Sequence, residues 1–468
     1  MLRFDGHPVS TRHICQVEIR GEYLGFALRI SLGDKKQMDL QAYPHLRDRL
    51  AVRLGRQSSA IVRLENIKHV IALHGSSWLF LRAMTGTRSV AEIATDIAAE
   101  HELDPEMIQN DFVELLDDLQ TKGVVELSSE PVDDDRGCLH VVAEDIRASI
   151  HMDITHKCNE VCVHCLVPRD HLTASFEDIK DVVDQAAALG FVSMSFSGGE
   201  PTLHPRFWEL LEYCRDLGFF FTVFTNAVRL SDEELQRLAA FEPEQVRISI
   251  YSMDPAVHDR ITTIDGSFAK TKAAVLRLHE LGARLYINTP VMTHNAATYL
   301  DVAAFADGLE IERNLDPTIQ PLRDRSNTYE ELQLTYEQAK EVTAAQQTAD
   351  VLEVNVVPGQ PVCNAGDDPS IDASLNLYPC PGLRKPLGNL REHRLADLLI
   401  DNPELERVAN LSLEDLPGCQ RCPVRDGCYR CHGHGYQDFL DITACGKADK
   451  RQAKIRRELM VERGTIKD

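Results

Sequence analysis

Residues 153–170 read DITHKCNEVCVHCLVPRD and place Cys158, Cys162 and Cys165 within eight positions, with His156 and His164 beside them. A cuboidal 4Fe-4S cluster has four irons, and cysteine thiolates usually hold all of them. Three thiolates on one loop would leave one iron open to a substrate or cofactor, while a zinc knuckle is the alternative. A second group closes the chain: Cys363, Cys380, Cys419, Cys422, Cys428, Cys431 and Cys445, with CQRCPVRDGCYRC giving the spacing C-x2-C-x5-C-x2-C. Cysteine pairs alone do not separate iron from zinc, so a zinc ribbon stays open there. Only Cys15, Cys138 and Cys214 stand apart of the 13 cysteines. Cys214, on a predicted helix, reads as a small buried hydrophobe. His156 and His164 could tune a cluster through hydrogen bonds or simply pack, and His432 and His434 are possible further ligands or exposed loop residues.

Elements that could position these thiols follow from residue 147. SIHMDIT leads into the first cysteines, and then helical stretches alternate with the short strands FVSMSFS, FFFTVFTN, QVRISIYS and RLYINTPVM. Such alternation predicts an α/β fold with a parallel sheet, as a barrel or an open wound sheet, whose chemistry gathers at the carboxyl ends of the strands. Cys158 and Gly198 both fall just past such ends. In SFSGGEP, Gly198 and Gly199 allow close backbone approach to a ligand, and Glu200 offers a carboxylate. Val246, Ile248 and Ile250 alternate with Arg247, Ser249 and Tyr251, which predicts that the second set shares a face.

The remainder of the chain bounds the setting. Its 468 residues suggest two to four domains. Lys and Arg number 50 against 73 Asp and Glu, a formal charge of -23 that argues against a nucleic-acid partner. No run of about 18 apolar residues could span a membrane, and MLRFDGHPVSTRHICQ lacks the pattern of an export signal. Cytoplasmic residence is the expectation, and many cysteines there point to metal or catalytic thiols. SSEPVDDDRGC, polar and acidic, predicts a linker. Before it, Ser89 with Glu92 forms a capping box, Asp104 precedes Pro105 at a helix start, and Gly123 fits a carboxyl-terminal cap. Two amphipathic helices, a third in SSWLFLRAM and the strand-like SAIVRLENIKHVIAL make a small winged-helix-like α+β unit.

Cys158, Cys162 and Cys165 in C-x3-C-x2-C resemble the signature of the radical S-adenosylmethionine (radical SAM) enzymes, and the chain is identified as a member of that family. The resemblance implies a partial (β/α)6 radical SAM barrel, a cluster whose open iron chelates the methionine moiety, and a 5'-deoxyadenosyl radical that abstracts hydrogen. It also implies cofactor contacts at Gly198, Gly199, Glu200 and Pro201, at Thr225 and Asn226, and at Ser249. Ala227 stands where that family often has glycine. The seven late cysteines resemble the SPASM extension of peptide-modifying relatives, which implies two auxiliary iron-sulfur clusters. By that resemblance Cys419, Cys422, Cys428 and Cys445 hold one, and Cys363, Cys380 and Cys431 hold the other with a fourth position unassigned. One residue fewer before Cys431, and Leu375 in place of a glycine, depart from the pattern.

Residues 45–128 resemble the small peptide-binding protein of pyrroloquinoline quinone biosynthesis (PqqD), whose fold implies recognition of a precursor's leader as an added strand. A winged helix that merely packs or binds DNA is the competing reading. The implied layout is an extension at 1–44, a PqqD-like recognition domain at 45–128, a linker at 129–145, a radical SAM core at 146–330, a bridging region at 331–359, a SPASM auxiliary-cluster domain at 360–450 and a tail at 451–468. The implied function is modification of a ribosomally synthesised precursor peptide by crosslinking (thioether, carbon-carbon or ether) or epimerisation. A low-potential donor such as flavodoxin or ferredoxin would supply electrons. Action on a folded protein or small cofactor precursor, and a non-catalytic zinc scaffold, are the alternatives.

Overall fold

The computed structural model describes residues 3–4, 7–8, 39–46, 50–54, 59–64, 67–74, 80–81, 83–100, 103–121, 125–132, 140–141, 147–320, 329–346, 361–363, 365–400 and 402–466. Cys15, Cys138, Gly123, most of the 1–44 extension, much of the 129–145 linker and residues 347–359 of the bridging region lie outside them. The chain forms two compact units, one of 1–147 with 187–192 and the other of 148–186 with 193–468.

In the first unit β1 (Arg3–Phe4) and β2 (His7–Pro8) form an antiparallel pair. A second antiparallel pair joins β3 (Tyr43–Leu46) to β7 (Val125–Ser128). A four-stranded sheet runs β6 (Ile67–His74), β5 (Ser59–Leu64), β4 (Leu50–Leu54) and β8 (His140–Val141). The strand-like SAIVRLENIKHVIAL is thus the hairpin β5–β6, and residues 80, 81 and 83 of SSWLFLRAM are helical. Helix α1 (Val90–Glu100) begins with Ser89 donating its N–H and hydroxyl to Glu92 while accepting the Glu92 N–H, which satisfies otherwise orphaned donors. Asp104 caps α2 (Pro105–Thr121) by accepting from Glu106 and Met107. Ile93, Ile97, Ile108, Phe112, Leu116 and Leu119, at helical spacing, share one buried core with Phe80; Phe80 stacks on Phe112 at 4.6 Å.

The second unit is built on strand–helix repeats. Strands β9 (Arg147–Thr155), β10 (Phe191–Gly198), β11 (Phe220–Thr225), β12 (Gln245–Ser249), β13 (Leu285–Pro290) and β14 (Glu312–Asp316) lie in chain order across the sheet, and the pairs from β10 to β14 are parallel. Between them run α3 (Phe176–Ala188), α4 (Phe207–Asp216), α5 (Asp232–Ala240), α6 (Pro255–Thr262), α7 (Ser267–Glu280) and α8 (Tyr299–Gly308). Ile150, Met152, Met194, Phe196, Val246, Ile248 and Ile287 alternate onto a fully buried face. His151, Ser195, Arg247, Ser249, Tyr286 and Asn288, the intervening residues, form a half-buried polar face. Cys214 is buried on α4, as its helical spacing predicts.

The late cysteine region extends this same sheet. Strand β15 (Ser370–Ile371) pairs in parallel with β9 on the side away from β10, and β16 (Asn376–Tyr378) and β17 (Gly388–Asn389) continue antiparallel. Helices α9 (Tyr336–Ala344), α10 (Leu395–Leu399), α11 (Pro403–Ala409), α12 (His432–Phe439) and α13 (Lys447–Glu462) complete the unit. The Gln185 side chain of α3 accepts the Leu395 N–H at 2.7 Å, a buried bond that starts α10 against the repeats. A small core of Ala365, Leu383, Val408 and Ile442 packs against Cys363 and Cys380.

Candidate functional site

The loop after β9 carries Cys158, Cys162 and Cys165, all half-buried. It is held from two sides. Val161 and Val163 donate to Thr262 and Ile261 at the end of α6. On the other side Gly199 N–H donates to Thr155 O at 2.7 Å and Glu200 N–H to Lys157 O at 2.8 Å. This approach needs glycine: a Cβ on Gly198 would lie 2.0 Å from Thr155 O and one on Gly199 2.2 Å from Lys157 O. Gly198 also has φ +129, a conformation side chains resist.

Glu200 is buried to 1 % exposure and works inward. Its Oε1 accepts from the Thr202 and Thr225 hydroxyls and the Thr202 N–H, and its Oε2 accepts the Asn226 N–H at 2.7 Å. Through these bonds the carboxylate locks the end of β10 to the end of β11. Pro201, buried, opens the short helical turn Pro201–Leu203 that Glu200 caps. Asn226 Nδ2 donates to Asn159 Oδ1 at 3.0 Å and lies 3.8 Å from Cys158 Sγ. Ala227 has φ +56, which accounts for glycine at this position in the resembling family. Ser249 is half-buried at the end of β12, opposite Asn288 in register. Tyr251, expected to share its face, lies past the strand end instead and is buried beside Cys162, its hydroxyl 3.8 Å from Sγ.

Burial and neighbouring negative charge hold protons on the groups of this loop. Burial pushes the Cys158 thiol up to about 12, with the Glu160 N–H pulling back and the charges of Glu200, Glu160 and Cys165 pushing further. Burial likewise raises Cys162 well above the ordinary thiol range, and Glu160 to about 7. A cationic occupant would favour the deprotonated forms of these groups, and softly ligating thiols select iron-sulfur clusters, copper or zinc. His164 is half-buried against Tyr251 with ring centroids 5.0 Å apart, and desolvation lowers it to about 4. His156 is buried, its Nδ1 2.7 Å from Asp170 Oδ1. Both histidines pack, His156 the more deeply. Glu160 and Asn159 were not singled out from the sequence; their place inside the cysteine motif was the available signal.

The late thiols fall into two groups. Cys380 lies close enough to act electrostatically on Cys363 and on Cys431, and a Cβ on Gly382 would lie about equally near Cys431 Sγ, 3.9 Å, and Cys380 Sγ, 4.0 Å. Cys419, Cys422, Cys428 and Cys445 act on one another in the same way. Among the described residues no group of three or more His, Cys, Asp or Glu side chains closes around one ion position. In a cuboidal cluster each thiolate holds a different iron. His432 and His434 belong to helix α12 and are not exposed loop residues. His432 Nδ1 pairs with Ile442 O at 2.7 Å, and His434 Nδ1 with Asp449 Oδ1 at 2.6 Å. His434 Nε2 faces Gln320 Nε2 at 3.1 Å, leaving neither ring nitrogen free. A cavity of about 180 Å³ lies alongside, lined by Ile319, Gln320, Tyr329, Gln333, His434 and Gln437 among others. Leu375, in place of the expected glycine, has φ +67.

The chain matches the model of the radical SAM superfamily over residues 152–306 and that of coenzyme PQQ synthesis protein D over 59–125. It is 35% identical over 161 residues to mycofactocin maturase MftC of Mycobacterium ulcerans, spanning 33% of this chain and 43% of that one. To the PqqA peptide cyclase of Xanthomonas euvesicatoria it is 30% identical over 315 residues, which span 60% of this chain and 82% of the cyclase. Streptococcus suis SuiB bound to the precursor peptide SuiA shares the fold with a TM-score of 0.60 at 13% identity, over 86% of this chain and 99% of that one. Among the described residues no helix is long and apolar enough to cross a membrane. The three-cysteine loop, the parallel sheet that carries it and the extent of the match to the cyclase agree: the chain belongs to the radical SAM superfamily and, within it, to the family of the PqqA peptide cyclases.

Proposed function

We propose that this radical SAM enzyme modifies a ribosomally synthesised precursor peptide by hydrogen abstraction, followed by thioether, carbon-carbon or ether crosslinking or by epimerisation. The observation that carries this is the order of matches in one chain, a PqqD-type unit at 59–125 before a radical SAM core at 152–306. Bound 4Fe-4S cluster and S-adenosylmethionine supply the one-electron cleavage that yields the 5'-deoxyadenosyl radical. Cys158, Cys162 and Cys165 hold the cluster, and the Gly198–Gly199 turn brings its backbone to the methionine moiety. Glu200 and Pro201 fix that turn, while Thr225, Asn226 and Ser249 at neighbouring strand ends border the adenosyl group. Residues 45–128 serve as a winged-helix-like recognition domain that takes the leader as an added strand. Residues 360–450 serve as a SPASM domain with two auxiliary clusters, held by Cys419, Cys422, Cys428 and Cys445 and by Cys363, Cys380 and Cys431. A flavodoxin or ferredoxin in the cytoplasm supplies the electrons.

Co-expression with a short peptide encoded beside the gene, followed by mass spectrometry, tests the proposal. A mass change in the peptide that requires Cys162 and vanishes in the Cys162→Ala variant is the expected result. An unmodified peptide alongside active, Cys162-dependent cleavage of S-adenosylmethionine would redirect the chemistry to a folded protein or a small molecule.

A further inference from the structure

Arg430 is the most deeply buried cation near the late thiols. It is 5 % exposed, and its side chain 2 %. Its Nη2 donates to Ile442 O at 3.2 Å and to Ala444 O, both on the segment that ends at Cys445. Nε and Nη1 find no partner in the protein; Nη1 stands 4.0 Å from Asp449 Oδ2, an ion pair too long for a hydrogen bond. Leaving two charged donors unsatisfied inside a protein is costly, and such groups ordinarily have an acceptor that completes them. Arg430 follows Cys428 by two residues and precedes Cys431 by one, and the two carbonyls it holds lead directly into Cys445.

Asp449 sits opposite. Its side chain is 2 % exposed, and it accepts the Cys431 N–H at 3.3 Å and pairs with His434. A positive and a negative charge are therefore fixed within the protein beside thiols of both sets. Reduction potentials of iron-sulfur clusters follow net charge, hydrogen bonds to sulfur and burial. A buried cation with spare donors stabilises the more negative, reduced state and so raises the potential.

We infer that Arg430 is the residue that raises the reduction potential of the cluster held by Cys419, Cys422, Cys428 and Cys445, opposed by Asp449. This rests on the proposed auxiliary clusters. Arg430 is a positioning and tuning residue, since nothing assigns it contact with substrate.

The test uses the full chain carrying Cys158→Ala, Cys162→Ala and Cys165→Ala, so that only late iron remains, reconstituted anaerobically. Iron and sulfide are counted, and midpoint potentials are read by redox titration with electron paramagnetic resonance. Arg430→Gln is expected to keep its iron and to shift one potential negative by at least a tenfold change in the equilibrium constant, about 59 mV for one electron. Arg430→Lys, which keeps the charge, is expected to recover most of that shift. Full iron with an unmoved potential in Arg430→Gln overturns the inference alone. Should Arg430→Gln lose iron, Asp449→Asn decides: removing the opposing charge must move the potential positive, and an unmoved value overturns the inference. Failure of the parent chain to hold any late iron would instead remove the auxiliary-cluster reading itself, and the inference with it.

Discussion

Ala227 and Leu375 both occupy left-handed backbone, with φ +56 and +67, at positions where the resembling families use glycine. They should nevertheless respond oppositely to glycine. Left-handed strain costs roughly 1–2 kcal/mol, and glycine's extra chain entropy costs roughly 0.5–1 kcal/mol. Ala227→Gly gives up only a methyl, so we expect a net gain of about 0.5 kcal/mol in denaturant unfolding. Leu375 is 2 % exposed, and truncating a buried leucine costs about 2–5 kcal/mol, more than the strain relieved. Leu375→Gly is therefore expected to destabilise, and a gain there would contradict the account. These two residues show what sequence makes legible at this scale. The departures from glycine were visible in the chain, and so were the cysteine spacing and the Gly198–Gly199 turn. The inward use of Glu200 and the burial of Arg430 were not, because their partners Thr225, Asn226 and Ile442 are fixed by tertiary approach.

Helix α6 holds the cysteine loop through Thr262 and Ile261, and His258 sits at its centre, 1 % exposed. Burial lowers His258 to about 4, with Asp259 opposing, against roughly 6.5 in an unfolded chain. Between those values the unfolded state binds the proton and the folded state does not. The stability that follows is whole above about pH 6.5 and is lost as pH falls through about 4, on the order of 3 kcal/mol in all. Denaturant unfolding across that window should show stability rising with pH in the parent chain, and a flatter dependence in His258→Gln. An equal slope in both would place the proton elsewhere. Helix caps at Ser89 and Asp104 and the strand–helix alternation were readable because they are local patterns of hydrogen-bonding and apolar residues. The short strands β15, β16 and β17 were not readable: pieces of two or three residues carry no periodicity, and β15 exists only because β9 offers it an edge.

That pairing matters for the whole molecule. Residues 370–371 bond to the strand from which the first cysteine loop springs, His151 donates to Pro369 O at 2.9 Å, and Arg384 lies 3.9 Å from the buried Asp153. A chain ended before residue 361 would bare β9 as an open edge and strand Asp153 without that cation, and open edges recruit other chains. We expect such a truncation to elute as aggregate in size-exclusion chromatography where the full chain does not; a well-behaved monomer of 1–360 would refute the dependence. The same pairing also bears on recombination between relatives. A crossover placed between the third helix and the late cysteines would match one parent's β9 with the other's β15, so segments 148–186 and 361–395 must be inherited together. In an ancestor assembled from interchangeable pieces, the loop that carries the first cysteines and the region that carries the later ones would have travelled as one cargo.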